Sequence, residues 1–333
     1  MLLLSIIIPT YNRLQRLKQV IAAMECQEYA LDNVEVLIIS DGSTDGTDAY
    51  LSNLKSSLKL VFISQANAGP AAARNNGIRR ASGEYVLFID DDVVPSPHLI
   101  AEHMRLHESR PNLIVLGPML NPNDFDMSPW VAWEQTMLEK QYHSMQSGKW
   151  IPTARQFYTG NTSLARRHLN EVGGFDERFR RAEDVELAYR LNSLGIEYAF
   201  NPQAIGYHYA ERSLRSWMET PYADGRNDVI FMRERERWLL KAIRTEFRYR
   251  NRLTRILVWL CVGRSIISQI VQNLLRNIAN RSSQIGLMRI CQVSYSAIFN
   301  LRYYQGMADE LGGRTNLFNT LEMSMIMIIT KKW

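Results

Sequence analysis

An α/β fold built on a mostly parallel sheet, followed by a helical extension, is what this chain of 333 residues predicts. Three observations carry the prediction. Short apolar runs of strand type alternate with helix-compatible segments through the first part of the chain, the pattern of βαβ units. Each run ends in polar, turn-rich sequence, where parallel sheets gather their functional loops. Charge then changes sign: residues 211–333 hold 20 Lys+Arg against 10 Asp+Glu, while residues 1–210 carry a net charge of −5.

The first run, Ser5-Ile6-Ile7-Ile8-Pro9-Thr10, closes on Tyr11-Asn12-Arg13. The second, Val36-Leu37-Ile38-Ile39-Ser40, leads into Asp41-Gly42-Ser43-Thr44-Asp45-Gly46-Thr47. A third, residues 58–64, precedes Asn67-Ala68-Gly69-Pro70 and a helix-compatible stretch over residues 71–77. The fourth, Tyr85-Val86-Leu87-Phe88-Ile89, ends in Asp90-Asp91-Asp92. In extended backbone, side chains two apart share a direction, so Asp90 and Asp92 are expected to converge while Asp91 faces elsewhere. Convergent acids face water, a basic partner or a cation, and hard ions such as Mg²⁺ share oxygen ligands with substrate phosphates. An acidic turn after a strand is the plainer alternative. Further on, Val185, Ala188 and Leu191 fit one face of a helix whose first turn, Glu183-Asp184, is acidic, which the helix dipole alone favours.

The ordered set SIIIPTYNR, ISDGSTDGT, NAGPAAARNNGI and VLFIDDD resembles glycosyltransferase family two, with its GT-A fold. Gly160-Asn161-Thr162-Ser163, Gly173-Gly174-Phe175-Asp176-Glu177 and Ala182-Glu183-Asp184 extend the likeness over residues 4–210. It implies transfer of a sugar from a nucleotide-sugar with inversion at the anomeric carbon, using Mg²⁺ or Mn²⁺. It also implies a catalytic domain over residues 1–210, with a nucleotide-sugar half over about 1–117 and an acceptor half over about 118–210.

Roles transfer position by position. Pro9, Tyr11 and Arg13 match the first nucleotide-binding loop; Tyr11 packs on the base or is a structural aromatic. The counterpart of Asp41 binds the base, where a carboxylate can accept from an N–H; an Asx-turn or a cap on the segment from Asp45 is the alternative. Arg74 matches a basic position suited to the diphosphate or the acidic cluster, its planar fork holding two oxygens at once; a surface helix Arg is the other reading. Asp90 and Asp92 form the DXD pair, Asp90 near the ribose and Asp92 on the metal, with Asp91 a donor-side neighbour. Asp184 matches the general base that takes the acceptor proton, and Glu183 positions the acceptor or supports the base. Family members often carry Gly where this chain has Ala182. His208 matches a metal or diphosphate contact, or is a packed residue. His103 and His107, four apart, have helix spacing for Zn²⁺ but no evident third ligand, so a solvated helix face is expected.

Three cysteines without paired spacing fit a reducing compartment. Met1-Leu2-Leu3-Leu4-Ser5 has no basic n-region, so no signal peptide is expected and the chain reads as cytoplasmic. The basic surplus is densest over residues 233–255, followed by apolar runs over 256–262, 266–275 and 323–329. Arg255 and Arg264 bracket a run too short to span a bilayer, and the spacing suits amphipathic helices on an anionic membrane, or packing on the catalytic domain or in a homodimer. No nucleic-acid motif accompanies the charge. A nucleotidyltransferase or a sugar-nucleotide dehydrogenase on a similar sheet is another reading, and the dehydrogenase version lacks a glycine-rich GxGxxG turn after the first strand, where this chain has Pro-Thr-Tyr-Asn-Arg. A non-catalytic nucleotide- or glycan-binding subunit lacks support because the DXD and the base are both present. Trp130, Trp133, Tyr142 and Trp150 are candidates for stacking on sugars or for packing. The expected partners are thus a nucleotide-sugar, UDP by default, and a glycan or lipid-linked acceptor.

Overall fold

The computed structural model describes residues 4–234 and 238–322, so the apolar run at 323–329 and Lys331, Lys332 and Trp333 lie outside the described residues. The chain forms two compact units: Met1–Asp126 with Gln135–Ala210, and Met127–Glu134 with Glu211–Trp333.

The first unit is wound from β1 (Leu4–Thr10), α1 (Leu14–Glu25), β2 (Val34–Asp41), α2 (Thr47–Asn53), β3 (Lys59–Gln65), α3 (Pro70–Arg80), β4 (Tyr85–Ile89), β5 (Val93–Pro95), α4 (Leu99–Ser109), β6 (Leu113–Leu116) and β7 (Met119–Leu120). It continues through α5 (Pro129–Gln146), of which residues 135–146 belong here, then β8 (Asn161–Ala165), α6 (Arg166–Glu171), α7 (Glu183–Asn192), β9 (Glu197–Phe200) and β10 (Gly206–His208). The main sheet runs β3-β2-β1-β4-β8-β6-β9. Its first four strands are parallel, with Ile6 opposite Val36 and Leu87. The isoleucines of β1 point to both faces and all are buried, the reason the strand reads as a continuous apolar run rather than an alternation. Burying each such side chain contributes about 1.5–3 kcal/mol.

β8 is antiparallel to both β4 and β6, so the sheet is mixed. A three-stranded sheet, β5-β10-β7, sets His208 opposite Val93, immediately after the three acids. Pro70 opens α3 at its first turn, where its missing N–H is no loss. Both His103 and His107 lie on the buried side of α4, which corrects the expectation of a solvated face. His103 sits between Asn161 Oδ1 and Ser163 Oγ at 2.8 Å each, and His107 Nε2 is 2.7 Å from the same Ser163 Oγ. The partners come from a strand about 60 residues away, so no local pattern could reveal them.

The second unit is helical: α8 (Leu214–Glu234), α9 (Trp238–Tyr249), α10 (Arg252–Cys261), α11 (Ser265–Gln284), α12 (Met288–Glu310) and α13 (Arg314–Thr320). Two glycines let α8 and α12 touch. A Cβ on Gly225 would sit 2.0 Å from the Tyr303 carbonyl oxygen, and one on Gly306 would sit 2.0 Å from that of Tyr222. Trp217 is fully buried there, edge-on to Trp133 at 5.5 Å and to Tyr295 at 5.6 Å. No helix among the described residues is long and apolar enough to cross a membrane.

Candidate active site

β4 ends at Ile89, and residues 90–92 lie in the turn that follows. The alternation of an extended strand therefore stops before the acids. Instead of Asp90 and Asp92 sharing a direction with Asp91 turned away, Asp90 meets Arg74 while Asp91 and Asp92 both face Arg13, whose Nη1 lies 3.8 Å from Asp91 Oδ1. Asp90 Oδ1 accepts from Arg74 Nη2 at 2.7 Å and keeps about a third of its side chain exposed. Gly160 lies beside it, where a Cβ would come within 3.0 Å of Asp90 Oδ2. Asp91 is buried, its Oδ2 accepting from Thr10 Oγ1 at 2.7 Å. Asp92 accepts a hydrogen bond from Arg13 through Oδ2, and its Oδ1 lies 3.6 Å from His208 Nε2.

These surroundings separate the acids electrostatically. Burial, reinforced by the charge of Asp92, pushes the Asp91 carboxyl up to about 7 against the opposing pull of Arg13 and the Thr10 hydroxyl. Burial also acts to raise Asp92, but His208 and Arg13 together outweigh it and hold that carboxyl well below the usual range. One neighbour is thus predisposed to carry a proton while the other stays charged.

Arg74 is buried on α3, and its fork spans two elements far apart in sequence. Nη2 donates to Asp90, and Nη1 donates to Glu183 Oε1 at 2.8 Å. Burial disfavours the guanidinium charge, yet Asp90 and Glu183 more than offset this, so it is held cationic. It is not a surface helix residue. Glu183 and Asp184 open α7, as the acidic first turn predicts. The residue before them, Ala182, adopts a left-handed backbone with φ 57°, a conformation open to glycine without strain and the physical reason a glycine suits this position. Asp184 Oδ1 accepts from the Val185 N–H at 2.8 Å. Burial first, and then the charge of Glu183, push its carboxyl up to about 7. One turn on, fully buried Glu186 is held by Arg190, whose Nε donates to it at 2.8 Å and whose Nη1 donates to the Val172 carbonyl at 2.6 Å.

The loops after β1 and β2 are stitched together. Pro9 lies within β1, Tyr11 just beyond it is half exposed, and Arg13 precedes α1. Asn12, at φ 54°, accepts from the Thr44 N–H at 2.6 Å. Asp45 accepts from the Leu14 N–H at 2.9 Å and from Thr47 Oγ1 at 2.6 Å, fixing the start of α2. Asp41 does not cap that segment. Its carboxylate accepts from the N–H groups of Ala68 and Gly69 and from Gln65 Nε2, each at 2.8 Å, and so shapes the entry to α3.

Thr10, Asn12, Asp45 and Asn75 also shape the site, and no pattern in the sequence assigns them a partner. Asn75 accepts from the Phe175 N–H at 2.7 Å and donates to Glu177 Oε1 at 2.9 Å, tying α3 to the Gly-Gly-Phe-Asp-Glu loop. Each lies inside a recognisable motif; only the partner is invisible in one dimension. Of the candidate aromatics, Tyr142 is buried and stacked on Phe200, while Trp133 is packed as described and Trp150 is exposed. Trp130 donates from Nε1 to the Arg212 carbonyl at 2.9 Å.

Among the described residues no three His, Cys, Asp or Glu side chains cluster as a complete metal cage. Asp92 Oδ1 and His208 Nε2 present an oxygen and a nitrogen toward each other across 3.6 Å. That donor pair fits a divalent ion that takes its remaining ligands from substrate phosphates and water. Asp90 is turned to Arg74 instead.

The chain is similar to validoxylamine A glucosyltransferase of Streptomyces hygroscopicus subsp. jinggangensis, with 31% identity over 231 residues, covering 61% of this chain and 54% of the relative. Chondroitin synthase of Escherichia coli is 25% identical over 258 residues, covering 68% and 37%. The chain thus spans about half the length, or less, of these relatives. Among solved structures, S. aureus TarS 1–349 in complex with UDP-GlcNAc superposes with a TM-score of 0.58 at 17% identity, covering 93% of this chain and 92% of that one. Mannosyltransferase PcManGT from Pyrobaculum calidifontis, in complex with GDP-Man and Mn²⁺, gives 0.57 at 16%, covering 91% and 86%. At such identities the likeness establishes the fold, which is GT-A. The family model described as glycosyl transferase family 2 matches residues 5–173, just over half of the chain, and the chain belongs to that family.

Proposed function

We propose that this protein is an inverting, metal-dependent glycosyltransferase that moves a sugar from a nucleotide-sugar to a glycan or lipid-linked acceptor. The observation that carries the reading is the buried Arg74 fork, which couples Asp90 at the end of β4 to Glu183, the neighbour of Asp184. A donor-side acid and a base-side helix are thereby held in one charge network.

The roles follow from that arrangement. Asp184, with its carboxyl raised toward neutrality, takes the proton of the acceptor hydroxyl as that oxygen attacks the anomeric carbon. The bond from that carbon to the nucleoside diphosphate oxygen breaks on the opposite side, and the configuration inverts without a covalent intermediate. Asp92 and His208 are the residues that would hold Mg²⁺ or Mn²⁺, which when bound neutralises charge on the leaving diphosphate. Arg13 keeps Asp92 ionised and oriented, and Asp91 is anchored behind it by Thr10. Tyr11, Pro9 and Asp41 border the nucleotide base, with the lone pairs of Asp41 that do not serve Ala68, Gly69 and Gln65 facing a base N–H. UDP is the default nucleotide, in keeping with the TarS complex with UDP-GlcNAc. The setting we propose is the cytoplasmic face of a membrane in polysaccharide or glycolipid assembly, with the helical second unit as the peripheral attachment.

Titrating UDP, GDP and dTDP by calorimetry with and without Mn²⁺, alongside donor turnover, tests this. The expected result is metal-dependent preference for one nucleotide. Asp184→Asn is expected to lower turnover by about 10²–10⁴-fold with nucleotide affinity unchanged, because it removes a base and no donor contact. Unchanged turnover would overturn the base assignment; absence of nucleotide binding by folded protein would overturn the transferase.

A further inference from the structure

Residues 247–308 contain nine arginines and no Asp, Glu or Lys. The same stretch exposes much of the large apolar surface of the protein. On α11, Ile266, Ile270 and Leu274 are 73%, 63% and 58% exposed, spaced four apart, with Ile267 and Ile278 beside them. The opposite face of that helix is its packed one, carrying the buried Ser268, Ala279 and Ser282. Just beyond, Ile285, Leu287 and Ile290 are exposed around the start of α12. Arg276, Arg281 and Arg289 are exposed in the same two helices. A run of aliphatic side chains this long, left in water, marks an interaction surface.

We infer that this face of the second unit, the Ile266–Ile270–Leu274 stripe with Arg276, Arg281 and Arg289, docks on an anionic phospholipid bilayer. The charge chooses the occupant. A second copy of the chain meeting the same patch would set arginines against arginines with no carboxylate to pair them, which is unfavourable across an interface. Nucleic acid would use the arginines but finds no exposed aromatic platform on α11, where the exposed apolar side chains are Ile and Leu. A bilayer with anionic headgroups satisfies both features: the aliphatic stripe enters the acyl boundary while the guanidinium groups stay among phosphates. The helix lies in the plane of the interface. This inference gives the membrane setting of the proposed function a definite surface and lipid class, and it stands independently of the donor sugar.

The test is co-sedimentation of the full chain with vesicles of phosphatidylcholine, alone or containing phosphatidylglycerol. Binding is expected only to the anionic vesicles. Ile266→Gln with Ile270→Gln and Leu274→Gln, and separately Arg276→Gln with Arg281→Gln and Arg289→Gln, are each expected to lower the partition coefficient about tenfold or more. These positions are exposed, so folding is expected to survive. Nucleotide binding by each variant, measured without vesicles, separates this outcome from failure of the transferase reading. Equal binding by wild type and both variants would overturn the inference. So would loss through Ile326→Gln and Ile328→Gln instead, which would move the contact to the carboxyl-terminal run. Sedimentation velocity without lipid supplies the last arm: a wild-type oligomer that the isoleucine variant dissociates would assign the face to a second copy and overturn the bilayer.

Discussion

Arginine does opposite work in the two units. In the α/β unit, Arg74 is buried with both arms of its fork on carboxylates, and Arg13 is drawn against Asp92. In the helical unit some arginines pair, as Arg226 does with Glu310 and Arg302 with Glu219, but the stretch from 247 to 308 offers them no acid of its own. The first arrangement fixes geometry inside a site. The second leaves charge on the surface for something outside the chain. One residue type thus marks a site in one unit and a contact surface in the other, and its company decides which.

The sharpest way to break that comparison is to make the same substitution in both settings. Arg74→Gln leaves Asp90 and Glu183 without their shared cation, and removing one partner from a buried pair lowers stability by about 3–5 kcal/mol. Arg276→Gln on the exposed face of α11 is expected to change stability by no more than about 0.5 kcal/mol. Urea denaturation of the two variants checks this, and equal midpoints would mean that the buried fork is not an internal counter-ion.

A second contrast concerns pH. Burial pushes His103 down to about 4; burial, and then the neighbouring His103, push His107 down to about 3. Both are neutral when folded, so the stability they carry is complete above their unfolded value of about 6.5 and is lost as pH falls from there toward 4 and 3. By pH 5 the loss is about 2 kcal/mol for each. Asp91 and Asp184, raised to about 7, take up protons in the native state over the same window and oppose this loss, so the histidine contribution is read as a difference: from pH 7 to 5 the wild type is expected to lose about 2 kcal/mol more than His107→Leu in denaturant titrations. An unchanged slope in that variant would remove the pair from the account.

At the base, the acidic limb of kcat/KM is expected near pH 7, since Asp184 must be ionised to accept a proton. Glu183→Gln removes the like charge that, after burial, raises Asp184 most. The limb is then expected to move to lower pH, and a limb that stays or rises would show that another group sets it.

How much of this was legible in one dimension depends on how far apart the cooperating residues are. The four apolar runs became β1 to β4 because each carries its own signal: a continuous aliphatic stretch closed by turn residues. Asp90, Asp92, Arg74 and Asp184 could be picked out because motif and position agree. The antiparallel β8 could not, since Asn161-Thr162-Ser163 reads as polar and its burial depends on His103 and His107 arriving from α4. The direction of the three acids is not legible, for a local reason. Strand alternation ends at Ile89, and residues 90–92 lie in a turn, where a spacing of two no longer sets direction. Asp41 showed the opposite limit: its chemistry was plain, but the Ala68 and Gly69 N–H groups it holds are almost 30 residues on.

The smallest expected effect compares how helices begin in the two units. In the helical unit, α10 starts conventionally, with the Asn251 side chain accepting from the Thr254 N–H at 2.7 Å. In the α/β unit, α7 starts without a side-chain cap, from Ala182 in a left-handed backbone. Asn251→Ala therefore removes a cap and is expected to lower stability by about 1 kcal/mol. Ala182→Gly relieves a backbone strain of about 1 kcal/mol but adds unfolded-state freedom of about 0.5–1 kcal/mol, so the net change in stability is near zero. Turnover is expected to survive it, because glycine supports the same φ and leaves Asp184 where it is. Ala182→Val makes the counter-test, since a β-branched residue at positive φ must either strain further or turn the first helical turn. A fall in kcat for the valine variant, with none for glycine, would tie the left-handed residue to the aim of the base. Equal kcat in both would reduce it to a detail of helix initiation.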